Sequence, residues 1–429
     1  MTIVYFLFVL GVLVFVHELG HFLVARWYGV RVLTFSLGFG PKLLKYRRGD
    51  TEYCVSVIPL GGYVKLAGET VDDRRTGAPD EFLSKSKWVR FQVYLAGPVM
   101  NILLAWVVLA GVMAQGADVP IWMESPPVIG TVDDDSPAGR AGLRPGDRIV
   151  SVNGRETPTW NALNYEVLPK AGRELTLVID RQGDRQERRV VPIAEGEYEM
   201  GRLGIDALHR SQITQIRPGE PAAGAGLERG DVILAVDGTE LRQPEIIKHI
   251  QAHAEQPIVF SIERNGSLMD VTVVPRRDGD IGLIGAIIRG TETRRIDPTV
   301  LEALSLSARQ NWETAGQIGR MLQGLVTRDV PVRQLMGPVS IANLSGMAGE
   351  QGWDVLFELM ALISLNLAVL NLMPIPVLDG GQIMILAVEG IARRDLSVKV
   401  KERVLLGGAA LIILLMVTVI YNDIARLLR

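Results

Sequence analysis

Four long apolar runs mark the chain, at about residues 3–27, 91–114, 355–373 and 404–421. Each is close to the roughly 20 residues a helix needs to cross a hydrocarbon core, so the pattern predicts four transmembrane helices. The first run has no basic residue ahead of it and carries charges where a signal-peptide cleavage site would fall, which favours a retained span over a cleaved leader. In the loop 28–90, Thr34 to Pro41 and Tyr53 to Leu66 alternate in strand fashion around the polar turn Arg47-Arg48-Gly49-Asp50. A small β-hairpin sheet at the membrane surface is expected there.

The long segment between the second and third runs contains an internal repeat at a spacing of 84 residues. Ser136 to Gly154 and Glu220 to Gly238 are identical at ten of nineteen positions, among them an Ala-Gly-Leu, a Gly-Asp and the last glycine. Each copy has a Gly-rich turn, an alternating strand (Ile149 to Val152, Ile233 to Val236) and an Asn-Gly or Asp-Gly hairpin turn. The two units resemble a pair of α+β PDZ domains of the bacterial type, over about 126–195 and 210–290. That resemblance implies peptide or protein ligands that add a strand to each module; the alternative is a pair of spacers with blocked grooves. Downstream, within 300–354, Leu304 to Leu325 and Met336 to Met347 have helical apolar spacing, and amphipathic helices are expected.

Composition fits this layout. Hydrophobic residues make up 48% of 429 positions, high for a soluble protein, and the formal net charge of −3 offers no basic footprint for nucleic acid. Cys54 is the single cysteine, so no internal disulfide and no cysteine-based metal site is available. Basic residues concentrate in 28–90 and in the loop that holds Arg393, Arg394, Lys399, Lys401 and Arg403. By the positive-inside rule both loops face the cytoplasm, which puts the termini and the central segment on the other side.

Chemistry enters with His17-Glu18-Leu19-Gly20-His21, inside the first span. On a helix, positions i and i+4 share a face, so both imidazoles can reach one zinc ion with Glu18 beside them as general base. Ionisable groups at membrane depth need a compensating partner, and a divalent cation is one. Catalytic zinc normally takes a third protein ligand. Asp379, in Asn371-Leu-Met-Pro374-Ile-Pro376-Val-Leu-Asp379-Gly380-Gly381, supplies a carboxylate among helix breakers, where irregular backbone should face a cavity rather than lipid. Asp379 could instead cap a short helix starting near Gly380. A ligand from a Glu-x-x-x-Asp helix is disfavoured, since neither Glu358 nor Glu389 has the Asp. Readings from other classes are a catalytically silent PDZ scaffold, which would not need the His17, Glu18 and Asp379 set, and a zinc transporter, which would need a second facing cluster.

Together, the HExxH in the first span, the Asp-Gly after Asn-x-x-Pro-x-Pro in the third and the tandem insert between them resemble the site-2 protease family of intramembrane zinc metalloproteases. Gly97-Pro98-x-x-Asn101 and Gly337-Pro338 extend the likeness through nearly the whole chain, and Gln382, where some relatives have His, is a minor departure. The resemblance implies His17, His21 and Asp379 as Zn2+ ligands, Glu18 as catalytic base, and Asn371, Pro374 and Pro376 as the substrate-positioning segment. It also implies a bacterial inner-membrane enzyme that makes the second cut in a single-span anti-sigma factor, with the PDZ pair excluding untrimmed substrates.

Overall fold

A computed structural model describes residues 1–69, 77–196, 199–207, 210–279, 281–291, 293–327 and 330–427. The chain divides into two compact units, 1–116 with 297–429, and 117–296.

The first unit is built on helices α1 (Thr2–Trp27), α2 (Lys87–Met113), α3 (Val300–Val326), α4 (Pro338–Gln351), α5 (Trp353–Asn371), α6 (Asp379–Ile391) and α7 (Val398–Leu427). Of these, α1, α2, α5 and α7 are long and apolar enough to cross a membrane, which matches the four runs read from the sequence. Ser86 caps α2 by accepting from Val89 N–H, and Thr299 and Glu302 form a capping box on α3, so each start satisfies donors that the helix cannot. The third apolar run, 355–373, falls in α5 but for its last two residues, and the region 355–390 as a whole is two helices, broken at 372–378. Pro374 and Pro376 lack the N–H a helix interior uses, so the chain leaves the helix and re-enters it at Asp379.

Small residues set how closely these helices approach. A Cβ on Gly20 of α1 would lie 2.4 Å from the Ala96 carbonyl oxygen of α2, and one on Gly346 of α4 would lie 2.5 Å from Thr2 Oγ1 of α1. Apolar side chains close the seams: Val9 and Leu13 with Leu356 and Met360, and Ala105 and Leu109 with Ala361 and Leu365. Helix α7 is anchored near its ends. Asp423, 1% exposed, accepts from the Gly337, Val339 and Ser340 N–H groups and the Ser340 hydroxyl, so it caps α4 from a distant part of the chain. At the other end Lys401 Nζ lies 2.6 Å from the fully buried Glu389 Oε1.

Strands β1 (Val32–Arg48) and β2 (Thr51–Leu66) are longer than the predicted hairpin and fold over on themselves. Thr34 pairs with both Glu52 and Lys65, and Phe35 with both Tyr53 and Val64, while Leu44 pairs with Val55 and Arg48 with Thr51. Two strands thus give four segments side by side, in the order 62–66, 32–37, 52–55, 44–48. The fold-over is possible at Gly38, whose φ of 90° suits glycine and whose missing Cβ leaves room for Ile58 O, 2.7 Å away. Among the described residues, no strand pairs with the outer edge of 62–66.

The second unit holds two sheet modules that repeat each other. One has the strand order 155–156, 148–152, 175–181, 184–190 with the helix Trp160–Val167; the other has 267–273, 258–264, 232–236, 211–216, 286–289 with Gln243–Ala252. The 84-residue repeat is an equivalence of cores: Ile129 and Ile149 in one correspond to Ile213 and Ile233 in the other, all buried. It is also an equivalence of polar devices. Asp147 accepts from Arg144 N–H and pairs with Arg181 at 2.7 Å; Asp231 accepts from Glu228 N–H and pairs with Arg264 at 2.6 Å. Asn153 and Asp237, at φ 51° and 50°, accept from Thr176 and Val259 N–H, which is why the hairpin turns read Asn-Gly and Asp-Gly.

Burial alone would raise the Asp147 pKa, but the Arg181 guanidinium and the Arg144 N–H outweigh it and hold the carboxyl below its ordinary value. Because the folded value is the lower one, this stabilisation is present above about pH 4 and is lost as pH falls through the folded value. Arg181→Met should therefore shift acid unfolding of residues 129–190 to higher pH. Hydrogen exchange of the full chain across a pH series checks this, and an unmoved midpoint would show that the pair contributes nothing.

Candidate metal centre

Helix α1 presents His17 and His21 one turn apart, and α6 begins with Asp379 in its first turn. Their side chains converge. His17 Nε2 lies 3.3 Å from Asp379 Oδ2, His21 Nε2 lies 3.6 Å from Asp379 Oδ1, and the two Nε2 atoms are 3.2 Å apart. Asp379 makes no side-chain cap on its own helix, where the N-cap is Leu378. Its carboxylate faces the imidazoles instead.

The backbone around Asp379 is compressed to make this possible. A Cβ on Gly380 would lie 2.2 Å from Leu372 O and one on Gly381 would lie 2.0 Å from Ile375 O. The 372–378 loop therefore seats directly on the start of α6, and Gln382 locks it by donating to Pro376 O at 2.7 Å. Pro374 and Pro376 lie in this loop and Asn371 closes α5 ahead of it. Among the described residues the Asn371 side chain makes no recorded hydrogen bond, and none of the three joins the His–Asp cluster.

Helix α2 supplies the support. His21 Nδ1 meets Val93 O at 2.7 Å, which makes Nδ1 the donor and leaves Nε2 a free lone pair. This contact sits where Pro98 crowds the preceding turn of α2 and cannot donate to it. Gly97 leaves the space that the imidazoles occupy, since a Cβ there would lie 2.4 Å from His21 Nε2 and 2.8 Å from His17 Cε1. Asn101, fully buried, places its amide 3.3 Å from His17 Nδ1. Neither the Val93 carbonyl nor the space at Gly97 was assigned a role from the sequence; Gly97-Pro98-x-x-Asn101 was visible there only as a motif.

Three observations bear on what this cluster can hold. Ligands of a tetrahedral ion at about 2.0–2.1 Å lie about 3.3 Å from one another, and the separations of 3.2, 3.3 and 3.6 Å match that spacing. Asn101 Oδ1 is buried without a partner. A metal on His17 Nε2 would leave the proton on Nδ1, and the Asn101 amide turned about its bond would give that proton an acceptor. Finally, Glu18 follows His17 directly, and its side chain reaches the sheet, where a Cβ on Gly62 would come within 3.0 Å of Glu18 Cγ. The Glu18 and Asp379 carboxylates together would balance one divalent cation in apolar surroundings. The residues fit a zinc ion. Glu389, the carboxylate considered from sequence as another donor, is committed to Lys401 and Leu396 N–H.

Comparison with known proteins places the chain in a family. The sequence matches peptidase family M50 over residues 5–415. It is 34% identical to the regulator of sigma-E protease of Escherichia coli, with 98% of each chain covered. It is 34% identical over the same shares to the regulator of sigma E protease of Salmonella typhi. A Vibrio cholerae protein that carries a zinc metalloprotease name is 33% identical over 98% of both chains.

Proposed function

The chain belongs to peptidase family M50 and is a zinc metalloprotease of the membrane, and on that premise we propose that it cuts a single-span protein within its transmembrane segment. The convergence of His17, His21 and Asp379 in the unit that carries the four apolar helices, with Glu18 beside them, carries this reading. In it, His17, His21 and Asp379 hold Zn2+. The ion supplies an acidified water and polarises the scissile carbonyl. Glu18 accepts a proton on its carboxylate and returns it to the leaving amide nitrogen.

A transmembrane helix hides its carbonyls in its own hydrogen bonds, so a segment must unwind before it can be cut. The 62–66 segment of β2 supports a way to hold it: among the described residues no further strand joins its outer edge, where Gly62 and the Val64 N–H lie against Glu18. An extended stretch of substrate added there would run past the metal, with Asn371, Pro374 and Pro376 lining the other side. Proline at Tyr63 and at Val64, tried in turn, removes successive N–H groups; the Val64 N–H meets Glu18, so slowing in that variant counts for strand addition only where the pH dependence of turnover is unchanged. At least one variant should slow cleavage several-fold with zinc content unchanged; unaltered turnover in both would exclude strand addition.

From the family resemblance, the substrate is an anti-sigma factor already trimmed by a first protease, in a bacterial inner membrane. The basic loops then face the cytoplasm, and the termini and the sheet modules face the periplasm. The modules, read as PDZ domains with peptide ligands, act as the filter against untrimmed substrate. The direct test is cleavage of a single-span model substrate by the detergent-purified protein with its zinc content measured. Cleavage with one zinc per chain supports the assignment, and a protein that binds no zinc would remove it.

A further inference from the structure

A cavity of about 350 Å3 lies in the first sheet module between the helix Trp160–Val167 and residues 200–206. Leu163, Val167, Leu168 and Met200 give it an apolar wall. Of the polar side chains at its border, Arg202 and Glu195 pair with each other at 2.7 Å, which leaves Asn164 and Asp206. The strand Ile205–Ala207 pairs with Ile129–Val132 on one side, and among the described residues no strand joins the other. Just ahead of it the N–H groups of Leu203 and Gly204, on buried residues, have no acceptor among the described residues. One end of the cavity is shut: a Cβ on Gly201 would lie 2.5 Å from Val167 O, so helix and segment touch there.

The second module has the same frame, since a Cβ on Gly282 would lie 2.4 Å from Ile250 O. Its groove, however, is bridged. Ile213 N–H, opposite Ile288 in the sheet, goes to Asp231 O, and the Ile288 carbonyl accepts instead from Gln243 Nε2 at 3.3 Å, at the start of the helix Gln243–Ala252. In the first module Ile129 N–H likewise goes to Asp147 O, but the helix begins with Trp160, whose ring is buried edge-on to Trp122. No hydrogen bond among the described residues crosses from that helix to Ile205–Ala207, so the Ala207 carbonyl stays available. Three features of the first module select an occupant. An unpaired strand edge takes extended backbone. Two adjacent N–H donors take an oxyanion, because a buried donor left unmade is costly. A shut end admits a chain that stops there and not one that runs through. We propose that the first module, and not the second, binds the free C-terminal end of an extended polypeptide. Its carboxylate sits on the Leu203 and Gly204 N–H groups and its apolar last side chain against Leu163, Val167 and Leu168. Asp206, two residues along the strand, favours a basic side chain farther back. This rests on the reading of the sheet modules as peptide-binding and assigns that role to one of them.

The test is fluorescence anisotropy of a labelled ten-residue peptide, with valine last and lysine two places before it, titrated with the full chain in detergent. The free acid should bind at least about tenfold more tightly than the same peptide as a C-terminal amide, which lacks the charge. Leu168→Glu, at an exposed position of the cavity wall, should lower the affinity for the acid by a similar factor. Gln251→Glu, at the matching place in the second module, should leave it unchanged. Gln243→Ala, which removes the bridge, should raise the number of peptides bound per chain above one. Zinc content and circular dichroism, measured on each variant, show that the fold is kept. Equal binding of acid and amide would overturn the chain-end assignment, and loss in Gln251→Glu in place of Leu168→Glu would move the site to the second module. No binding by the wild type would remove the peptide-binding reading itself, an outcome distinct from the other two.

Discussion

Glu18→Gln is expected to lower turnover by about 10²–10⁴-fold while the protein keeps one zinc per chain. The substitution exchanges an oxygen for an NH2 and changes little in volume, so the helix and its neighbours have no reason to move. The distances that define the metal cluster run among His17, His21 and Asp379 and do not involve Glu18. The imidazole of His21 is oriented from α2 by Val93 O, and Asn101 faces His17, so both ligands keep their support when the carboxylate is gone. What disappears is the carboxylate beside the cluster that, in this reading, takes up a proton and gives it back. Side-by-side cleavage assays on a single-span substrate, with zinc determined on both proteins, separate the outcomes. Full activity in the variant would place the base elsewhere. Loss of zinc together with activity would make Glu18 part of the metal cluster rather than its base.

The parts of this site that a sequence can reveal are those set by local geometry and by the cost of burying charge. His17 and His21 fall on one helix face whatever the tertiary structure, and Asp379 stands out because a carboxylate beside prolines and glycines has no place against lipid. The partners supplied by packing are harder to read. Val93 contributes only a backbone carbonyl, which no side chain announces, and Gly97 contributes an absence of atoms. The same limit applies to the sheet. Alternation in β1 and β2 identifies strands, but period two gives the face of a residue and not its neighbours, so the double pairing of Thr34 and Phe35 was not legible. The tandem modules were legible as a repeat because Ile149 and Ile233, Asp147 and Asp231 keep the same offset. Asp423 was not, since an acid near the end of the last span looks like a solvated terminus until its three backbone donors on α4 are seen. The break at 372–378 was anticipated in its chemistry but not in its extent, because prolines mark where a helix must stop and say less about where the next begins.

Gly97→Ala should disable the centre as thoroughly as loss of a ligand, although it removes no functional group. Its Cβ would lie 2.4 Å from His21 Nε2, 2.7 Å from His21 Cε1 and 2.8 Å from His17 Cε1. Those are the rings that must both present Nε2 to one ion. One methyl group therefore forces either the imidazoles away from Asp379 or α2 away from α1, and α2 is held at short range by Gly20 against Ala96 O. A displacement near 1 Å in a catalytic constellation costs on the order of 10²-fold in rate, and here it acts on two metal ligands at once, so zinc affinity should fall with it. Gly111→Ala is the control within the same helix: nothing lies within 4 Å of its Cβ, and alanine favours a helix by about 1 kcal/mol over glycine. That variant should keep its zinc and its activity. Zinc titration and turnover of the two variants together decide the matter. A Gly97→Ala protein with unchanged zinc affinity would mean that His17 and His21 do not share an ion in the space that Gly97 leaves.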